Sequence, residues 1–318
     1  MNLKDKLSMM TAGLELLIVW KKKNKIHFID LGWFWSRNKS MKILFNEALE
    51  KSKKENIPPI LVNTWDRPFN KYFKSNIFSF STTNWFYDKI IPDFIYDSWK
   101  EVKIPSYNQV VKEMVNAWKN KALIDKIWWI WNFNTSPSRL ILADLGGKYP
   151  QYLDVKNSSQ KGVKWMTMEE LVQTYWYLID VEWAGYSWRL KLLFFSWRPI
   201  FVQERKWKDF ALLMAEPNKH YIPVKNDFSD LIEKIIELKS NPELSEKFWK
   251  NAKEFAENVL SRDAAILYIK EAFEKENRDK LNLLKIVVLV IIRFFQKFWN
   301  GIKLFLFNKV KKWKKIQK

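Results

Sequence analysis

The sequence predicts an α/β protein with two doubly wound domains that face a cleft, followed by a basic carboxyl-terminal segment. Strand-like and helix-like segments alternate through the second half with short connections, which favours a parallel sheet covered by helices on both faces. The chain has 318 residues, 47% of them hydrophobic, which is enough for two cores. We place the domains at residues 1–155 and 156–276, and the tail at residues 277–318.

The first half contains apolar runs and one well-marked helix. Four runs indicate short buried strands: HFID (27–30), ILVN (60–63), FSFS (78–81) and KIWWIW (126–131). A helix follows the last of these, with Ser136 as its N-cap and Pro137 in its first turn. It is expected to stop at Gly146 and Gly147, because glycine commonly follows the last helical turn.

The second half alternates regularly. Thr167 and Glu170 have the spacing of a capping box, which predicts a helix start. The segments that follow alternate between strand and helix patterns: YLIDVE (177–182), RLKLLFF (189–195), PIFVQE (199–204), DFALLMA (209–215) and HYIPV (220–224). A further helix is expected from Asp227 onward.

Glycine and tryptophan occur in unusual numbers, with 7 Gly and 19 Trp. Glycine ordinarily makes up about 7% of residues, against about 2% here. One hypothesis is that several tryptophans stand where the protein carries glycine, through a genetic code that reads UGA as glycine. The alternative is a Trp-rich protein that binds membrane surfaces or sugars. Cysteine is absent, which excludes disulfides and thiolate sites and fits a reducing compartment.

The tail carries most of the formal net charge of +20, with 13 Lys or Arg against two acids from Lys275 onward. Its longest uncharged run, residues 286–292, is far shorter than the roughly 20 residues needed to span a bilayer. Basic residues among aliphatic and aromatic ones predict an amphipathic helix at a membrane interface. A nucleic-acid-binding tail is the alternative, but the abundant aliphatic residues disfavour it, and no nucleic-acid partner is expected.

No signal peptide is expected, because Glu15 interrupts the apolar run that extends from residue 14 to residue 20. Together with the basic tail, this predicts a cytoplasmic protein that associates peripherally with the inner face of the cell membrane.

The turn VEWAGYSW (181–188) connects a predicted strand to a predicted helix. At such a turn the first N–H groups of the helix and its dipole attract anions. Ser187 can cap the helix and donate to a phosphate, while Arg189 and Lys191 supply positive charge. The alternative is an ordinary surface turn followed by a solvated helix face.

Four motifs occur in this order along the chain: NTWDRP (63–68), WIWNFNTSPSR (129–139), EWAGYSWRLKLL (182–193) and HYIPVKNDFSDL (220–231). Together they resemble glycosyltransferase family 90, which includes bacterial lipopolysaccharide-modifying transferases and protein O-glucosyl- and O-xylosyltransferases. The resemblance spans roughly residues 25 to 275. It implies two Rossmann-like domains in a GT-B-like arrangement. It also places glycine at the position of Trp183 and, in bacterial members, at that of Trp188, and makes glycine acceptable at Trp65, Trp131 and Trp197.

The resemblance implies an inverting transfer of a sugar from a UDP-sugar to a hydroxyl of lipopolysaccharide or another surface glycan. Asp66 is implied to be the general base. The residues implied to bind the nucleotide sugar are Arg139, Ala184, Gly185, Tyr186, Ser187, Trp188 and Arg189. The chain has no Asp-x-Asp triplet and two histidines, so neither a metal site nor a cofactor besides the donor is expected. The alternative function is a non-catalytic, Trp-rich protein that binds carbohydrates or membrane surfaces.

Overall fold

The computed structural model describes residues 15–31, 35–68, 77–133, 136–183 and 185–276, with five further positions at 287, 288, 291, 292 and 295. Within these ranges the chain forms two five-stranded sheets and a two-stranded ribbon, with helices packed around the sheets. The predicted α/β class with two doubly wound units is confirmed. The predicted tail helix lies outside the described residues apart from those five positions.

The first half forms a mixed sheet. Its elements are β1 (Leu16–Lys22), β2 (Lys25–Asp30), α1 (Trp35–Glu50), β3 (Ile57–Asn63), β4 (Ile77–Ser79), β5 (Ser81–Thr82), β6 (Lys89–Ile90) and α2 (Tyr107–Trp118). The strand order is β2-β1-β3-β4-β6, in which β1 runs antiparallel to both neighbours and the others pair in parallel. The β1–β2 hairpin turns at Lys23 and Asn24, whose φ angles of 47° and 62° suit a tight hairpin.

The second half forms a fully parallel sheet. Its elements are β7 (Ile124–Trp131), α3 (Pro137–Lys148), β8 (Leu153–Asn157), α4 (Met168–Thr174), β9 (Tyr175–Asp180), α5 (Leu190–Leu193), β10 (Ile200–Gln203), β11 (Lys208–Asp209), α6 (Phe210–Met214), β12 (Ile222–Val224), α7 (Leu231–Ser240) and α8 (Pro242–Val259). The strand order is β12-β10-β9-β7-β8. Strand β7 is buried on both faces, because Trp128 and Ile130 face one core cluster while Ile127 and Trp129 face the other.

The predicted domain boundary near residue 155 needs correction. Strands β7 and β8 lie before that boundary, yet they pair with each other and with β9 in the second sheet. The chain therefore leaves the first sheet after β6. A last helix, α9 (Arg262–Glu274), returns to the first sheet, where Phe273 contacts Phe45 and Phe78 at ring-centroid distances of 5.1 and 5.3 Å.

The glycine pair in α3 is not a stop signal. Helix α3 continues to Lys148, beyond both glycines. A Cβ atom added at Gly146 would lie 2.8 Å from the Cβ of Val155. Glycine is therefore needed here because the helix packs closely against β8, so the predicted helix end is wrong.

The two halves share one continuous core and are joined by main-chain pairing. Strand β5 of the first half pairs with β11 of the second, with Ser81 opposite Asp209 and Thr82 opposite Lys208. Buried residues from both sheets belong to the same hydrophobic cluster. Of the helices in the described part of the chain, none has the length and apolar character to cross a membrane.

Candidate functional site

The candidate site lies at the carboxyl ends of β7 and β9, which are neighbours in the second sheet. From β7 the chain crosses to β8 on one side, whereas from β9 it crosses to β10 on the other. Such a divergence opens a crevice in which doubly wound proteins bind ligands. Arg139 lies in α3, just after β7, and the turn of residues 183–189 follows β9. The structure therefore brings together these two parts of the predicted site.

Arg139 connects the two loops at this point. Its Nε and Nη2 atoms donate to the main-chain oxygen of Glu182 at 3.1 and 3.0 Å, and Nη1 donates to the main-chain oxygen of Asn132 at 3.0 Å. Burial, together with the nearby charge of Arg189, lowers the pKa of Arg139 to about 9, so the side chain is charged at neutral pH. Arg139 thus fixes the loops and places a positive charge beside the crevice. Its predicted contact with a diphosphate stays a prediction.

Ser187 does not cap the helix as expected. Helix α5 begins at Leu190 with Arg189 in the N-cap position, and no side chain caps it. The Ser187 hydroxyl instead donates to Oδ1 of Asp180 at 2.6 Å. Arg205 Nη1 donates to Oδ2 of the same carboxylate at 2.6 Å. The side chains of Arg205 and Asp180 are both fully buried. Burying a carboxylate without hydrogen-bond donors costs free energy, which explains why Asp180 accepts a hydrogen bond from the Ser187 hydroxyl.

Arg189 is buried beside the sheet, with its guanidinium 5.7 Å from the ring of Trp128. Burial lowers its pKa, and the charge of Asp180 partly opposes this effect. Arg189 lines a cavity of about 100 Å³ together with Trp128 and Trp188. Ligand pockets are usually roughly 300 Å³ or larger. The Trp188 indole forms one wall and packs edge-on against Trp99 at 5.5 Å, so it occupies space at a position where the resemblance implies glycine.

The backbone conformation at Trp197 is one that favours glycine. It lies at the end of the segment that follows the turn, with φ 47° and ψ 35° in the left-handed region. Glycine adopts this conformation without strain, and it commonly does so at the ends of helices. The indole of Trp197 is buried, and its Nε1 has no hydrogen-bond partner within the described residues. The recoding of UGA itself stays a hypothesis.

Asp66 and the turn meet across the cleft. Asp66 follows β3 at the carboxyl edge of the first sheet. A Cβ atom added at Gly185 would lie 3.0 Å from the main-chain oxygen of Asp66 and 3.4 Å from its Cβ. Only glycine therefore permits this approach without a shift of the backbone. Ala184, the neighbouring residue predicted to bind the nucleotide sugar, lies outside the described residues.

The carboxylate of Asp66 is held by a residue that the sequence did not single out. Arg37 Nη1, on α1, donates to Asp66 Oδ1 at 2.8 Å. The Arg37 guanidinium also lies 4.8 Å from the ring centre of Phe94 and 5.2 Å from that of Trp99. The Arg37 side chain is 7% exposed, whereas that of Asp66 is 25% exposed. One carboxylate oxygen is thus paired while the side chain keeps access to the cleft.

A second buried cluster links the turn to the first half. Lys191 Nζ donates to Asp93 Oδ2 at 2.9 Å and to the main-chain oxygen of Trp188 at 2.8 Å. Tyr186 is buried beside Asp93; burial, reinforced by the charge of Asp93, holds the pKa of Tyr186 well above its usual range. Lys191 was expected to be a mobile charge near the ligand. It is instead a buried interdomain partner, and the only sequence signal was a lysine within an apolar run.

Asp209 caps α6 at the ribbon between the halves. Its Oδ1 accepts from the Leu212 N–H at 3.1 Å, while Oδ2 is buried without a partner among the residues described. Burial raises the pKa of Asp209 to about 6, although the charges of Lys191 and Arg205 act in the opposite direction. Near this ribbon, a cavity of about 400 Å³ opens at the carboxyl end of β10, lined in part by Gln203 and Tyr221.

Within the described ranges, no cluster of three or more His, Cys, Asp or Glu side chains is placed to hold a metal ion. His220 has a structural environment, since its Nδ1 accepts from the Glu216 N–H at 2.9 Å and its ring stacks on Phe255. The expected independence from metal ions stays a prediction.

The fold and the site define a two-sheet α/β protein whose crevice places arginines opposite a carboxylate. The sequence profile of glycosyl transferase family 90 matches residues 56–278, and the chain belongs to that family. The resemblance inferred from the four motifs is thereby confirmed.

Several curated relatives are protein O-glucosyltransferases that are longer than this chain. Rat protein O-glucosyltransferase 1 is 26% identical over 215 residues, covering 60% of this chain and 54% of the relative. Human protein O-glucosyltransferase 3 is 26% identical over 147 residues, covering 43% and 29%. The chain thus spans about half the length of the first of these and less of the second. Among solved structures, Anabaena Alr3699/HepE in complex with UDP and glucose is 11% identical with a TM-score of 0.39, over 59% of this chain and 57% of that one.

Proposed function

We propose that this protein is an inverting glycosyltransferase that transfers a sugar from a UDP-sugar to a hydroxyl of lipopolysaccharide or another surface glycan. One observation carries the proposal: the Asp66 segment touches Gly185 of the turn at the point where the connections of the second sheet diverge. This contact sets a carboxylate beside the crevice in which a doubly wound sheet binds its ligand. Membership of glycosyl transferase family 90 supports the reaction class.

In this proposal Asp66 accepts the proton of the acceptor hydroxyl. The hydroxyl oxygen forms a bond to the anomeric carbon, and the bond from that carbon to the diphosphate breaks with its electron pair leaving on UDP. Arg37 holds Oδ1 and so orients the carboxylate toward the acceptor. Proton transfer to a positioned base typically contributes 10² to 10⁴ in rate.

Arg139 and Arg189 supply the positive charge that offsets the charge developing on the departing diphosphate. Arg139 also fixes the loops after β7 and β9 through its bonds to their main-chain oxygens. Preorganised positive charge at such a position acts without reorganisation during the reaction, and one such donor is worth on the order of 3 kcal/mol.

Substitution Asp66→Asn tests the proposal. We expect UDP release from UDP-glucose, whose sugar is the one in the names of the relatives, to fall roughly 10²- to 10⁴-fold in the presence of a glycan acceptor. UDP affinity, measured by calorimetry, should change less than about threefold. Asp144→Asn is the matched control, since Asp144 lies exposed on α3 and pairs with Lys148. Full turnover by Asp66→Asn would refute the role of Asp66, and absence of UDP binding by the unsubstituted protein would favour the non-catalytic alternative.

We further propose that the protein acts at the cytoplasmic face of a membrane through its basic tail, without a metal ion. The support is the pattern of basic and apolar residues in the sequence. Deleting residues 278–318 should abolish sedimentation with vesicles that contain anionic lipid and leave transfer to a soluble acceptor intact. Activity that disappears with EDTA and returns with Mn²⁺ would contradict the metal-independent mechanism.

A further inference from the structure

Two short segments flank Asp66, one from each half of the molecule. The first is residues 83–88, which follow β5, and the second is residues 206–208, which end in β11. The β5–β11 ribbon joins them, with Thr82 opposite Lys208. Ser81 in this ribbon donates its hydroxyl to the main-chain oxygen of Asp66 at 2.7 Å. The ribbon thus holds both segments close to the main chain of the proposed base.

Aromatic side chains are exposed along these segments. Trp85 is 79% exposed and Tyr87 is 47% exposed. Between them, Phe86 packs against Trp207 of the other segment with a ring-centroid distance of 6.2 Å. Large apolar side chains are usually buried, and a group of them at the surface commonly marks a binding site. Flat, exposed rings suit the apolar C–H faces of sugars, which stack on aromatic surfaces.

The charge around these rings is positive. Arg67, next to Asp66, is exposed with its guanidinium 5.7 Å from the Trp207 ring, and Lys206 and Lys208 are exposed on the second segment. The neighbouring acids offset little of this charge. Asp66 is paired with Arg37, and Asp88 is buried and accepts from the Ser79 hydroxyl at 2.6 Å. Of the acids adjoining the second segment, Asp209 is buried and Glu204 is the exposed one.

We infer that Trp85, Tyr87, Trp207, Arg67 and Lys208 form an acceptor platform that binds a negatively charged saccharide. This inference rests on the proposed function and names the class of its acceptor. The rings bind the sugar faces, and the cations bind a carboxylate or phosphate close to the accepting hydroxyl. Guanidinium groups favour both anions through paired hydrogen bonds. Because the platform includes residues of both halves, acceptor binding depends on the ribbon between them.

The test uses three probes on the full chain in the presence of UDP. They are an oligogalacturonate, a mannose 6-phosphate-containing oligosaccharide and maltotetraose, which is neutral. We expect at least one charged probe to bind tenfold or more tightly than maltotetraose at low salt, and this preference to weaken as salt is raised. The two charged probes distinguish a carboxylate from a phosphate. Equal affinity for all three would overturn the inference about charge.

Variants separate the platform from the rest of the site. The double variant Trp85→Ala/Tyr87→Ala should lose at least tenfold in affinity for the preferred probe, with UDP affinity unchanged. Tyr149→Ala is the matched control, since Tyr149 is an exposed aromatic residue on the end of α3. Arg67→Gln should remove most of the preference for charge. Equal affinities for the double variant and the control would overturn the platform. Failure of UDP to bind the unsubstituted protein would instead show that the proposed function itself is wrong.

Discussion

Asp66 and the turn after β9 face each other across the cleft, and their charged groups are held differently. The Asp66 side chain is 25% exposed and is paired with Arg37 through one oxygen. On the other side, the side chains of Asp180 and Arg205 are fully buried and bonded to each other. The Lys191–Asp93 pair is equally enclosed, with side-chain exposures of 1% and 2%.

The difference separates a partly exposed carboxylate that can react from buried ion pairs that stabilise the fold. A buried charge that loses its partner is left without solvation, so the two buried ion pairs at the turn should respond to substitution mainly through stability. At Asp66 water can replace a lost partner, because the carboxylate is partly exposed. Substitution there should therefore change activity more than stability.

The largest effect is expected from Lys191→Met. It leaves the Asp93 carboxylate buried without its ion-pair partner and removes a link between the halves. We expect the free energy of unfolding to fall by about 3–5 kcal/mol, measured by urea denaturation. Lys148→Met is the control, because its pair with Asp144 is exposed on both sides and should contribute little to stability. Similar losses of unfolding free energy for both variants would contradict the distinction between buried and exposed ion pairs.

Arg37→Met should mainly affect catalysis. Without the guanidinium, Asp66 loses its ion pair and its fixed orientation, so we expect kcat to fall about tenfold or more while KM for the donor stays within about threefold. Arg37→Lys should recover part of the activity, and added guanidinium chloride at millimolar concentration should partly rescue Arg37→Met. A loss confined to stability, with kcat unchanged in the folded fraction, would show that Arg37 is only a packing residue.

The smallest effect concerns the backbone at Trp197. Because its φ of 47° favours glycine, Trp197→Gly should be more stable than Trp197→Ala by about 1 kcal/mol. Both variants remove the indole, so their difference isolates the backbone. At Trp249, inside α8, the order should reverse, because alanine is favoured over glycine in a helix by about 1 kcal/mol. Thermal unfolding of the four variants measures both differences, and the same order at both positions would contradict the argument.

Two local helix-start signals in the sequence were reliable, unlike the Gly146–Gly147 stop and the Ser187 cap. The capping box of Thr167 and Glu170 forms both of its hydrogen bonds, because it needs only four consecutive residues. Ser136 and Pro137 begin α3 as predicted, although the Ser136 hydroxyl makes no capping bond and lies 2.8 Å from the Ser138 hydroxyl. The meeting of Asp66 with the turn was also predictable, since both follow strands whose carboxyl ends line the cleft.

Other contacts between distant segments were not predictable. Arg37 reaches Asp66 from a helix 29 residues earlier, and no local pattern marks that pairing. The prediction of the domain boundary was wrong for the same reason, because strand order depends on pairing across the sheet and not on alternation along the chain. The apolar run before Lys21 gave no strand prediction, yet it forms β1, which lies between β2 and β3 inside the first sheet.

The return of α9 to the first sheet has a consequence for synthesis of the protein. The second sheet and its helices are contiguous in sequence, from β7 to α8, whereas the core of the first half needs Phe273 from α9. On the ribosome, the amino-terminal unit therefore stays without its last helix until the later unit has emerged. Domains usually complete in the order in which they are made. Here the unit made first is finished last, so nascent chains that end before residue 262 should expose apolar surface around Phe45 and Phe78.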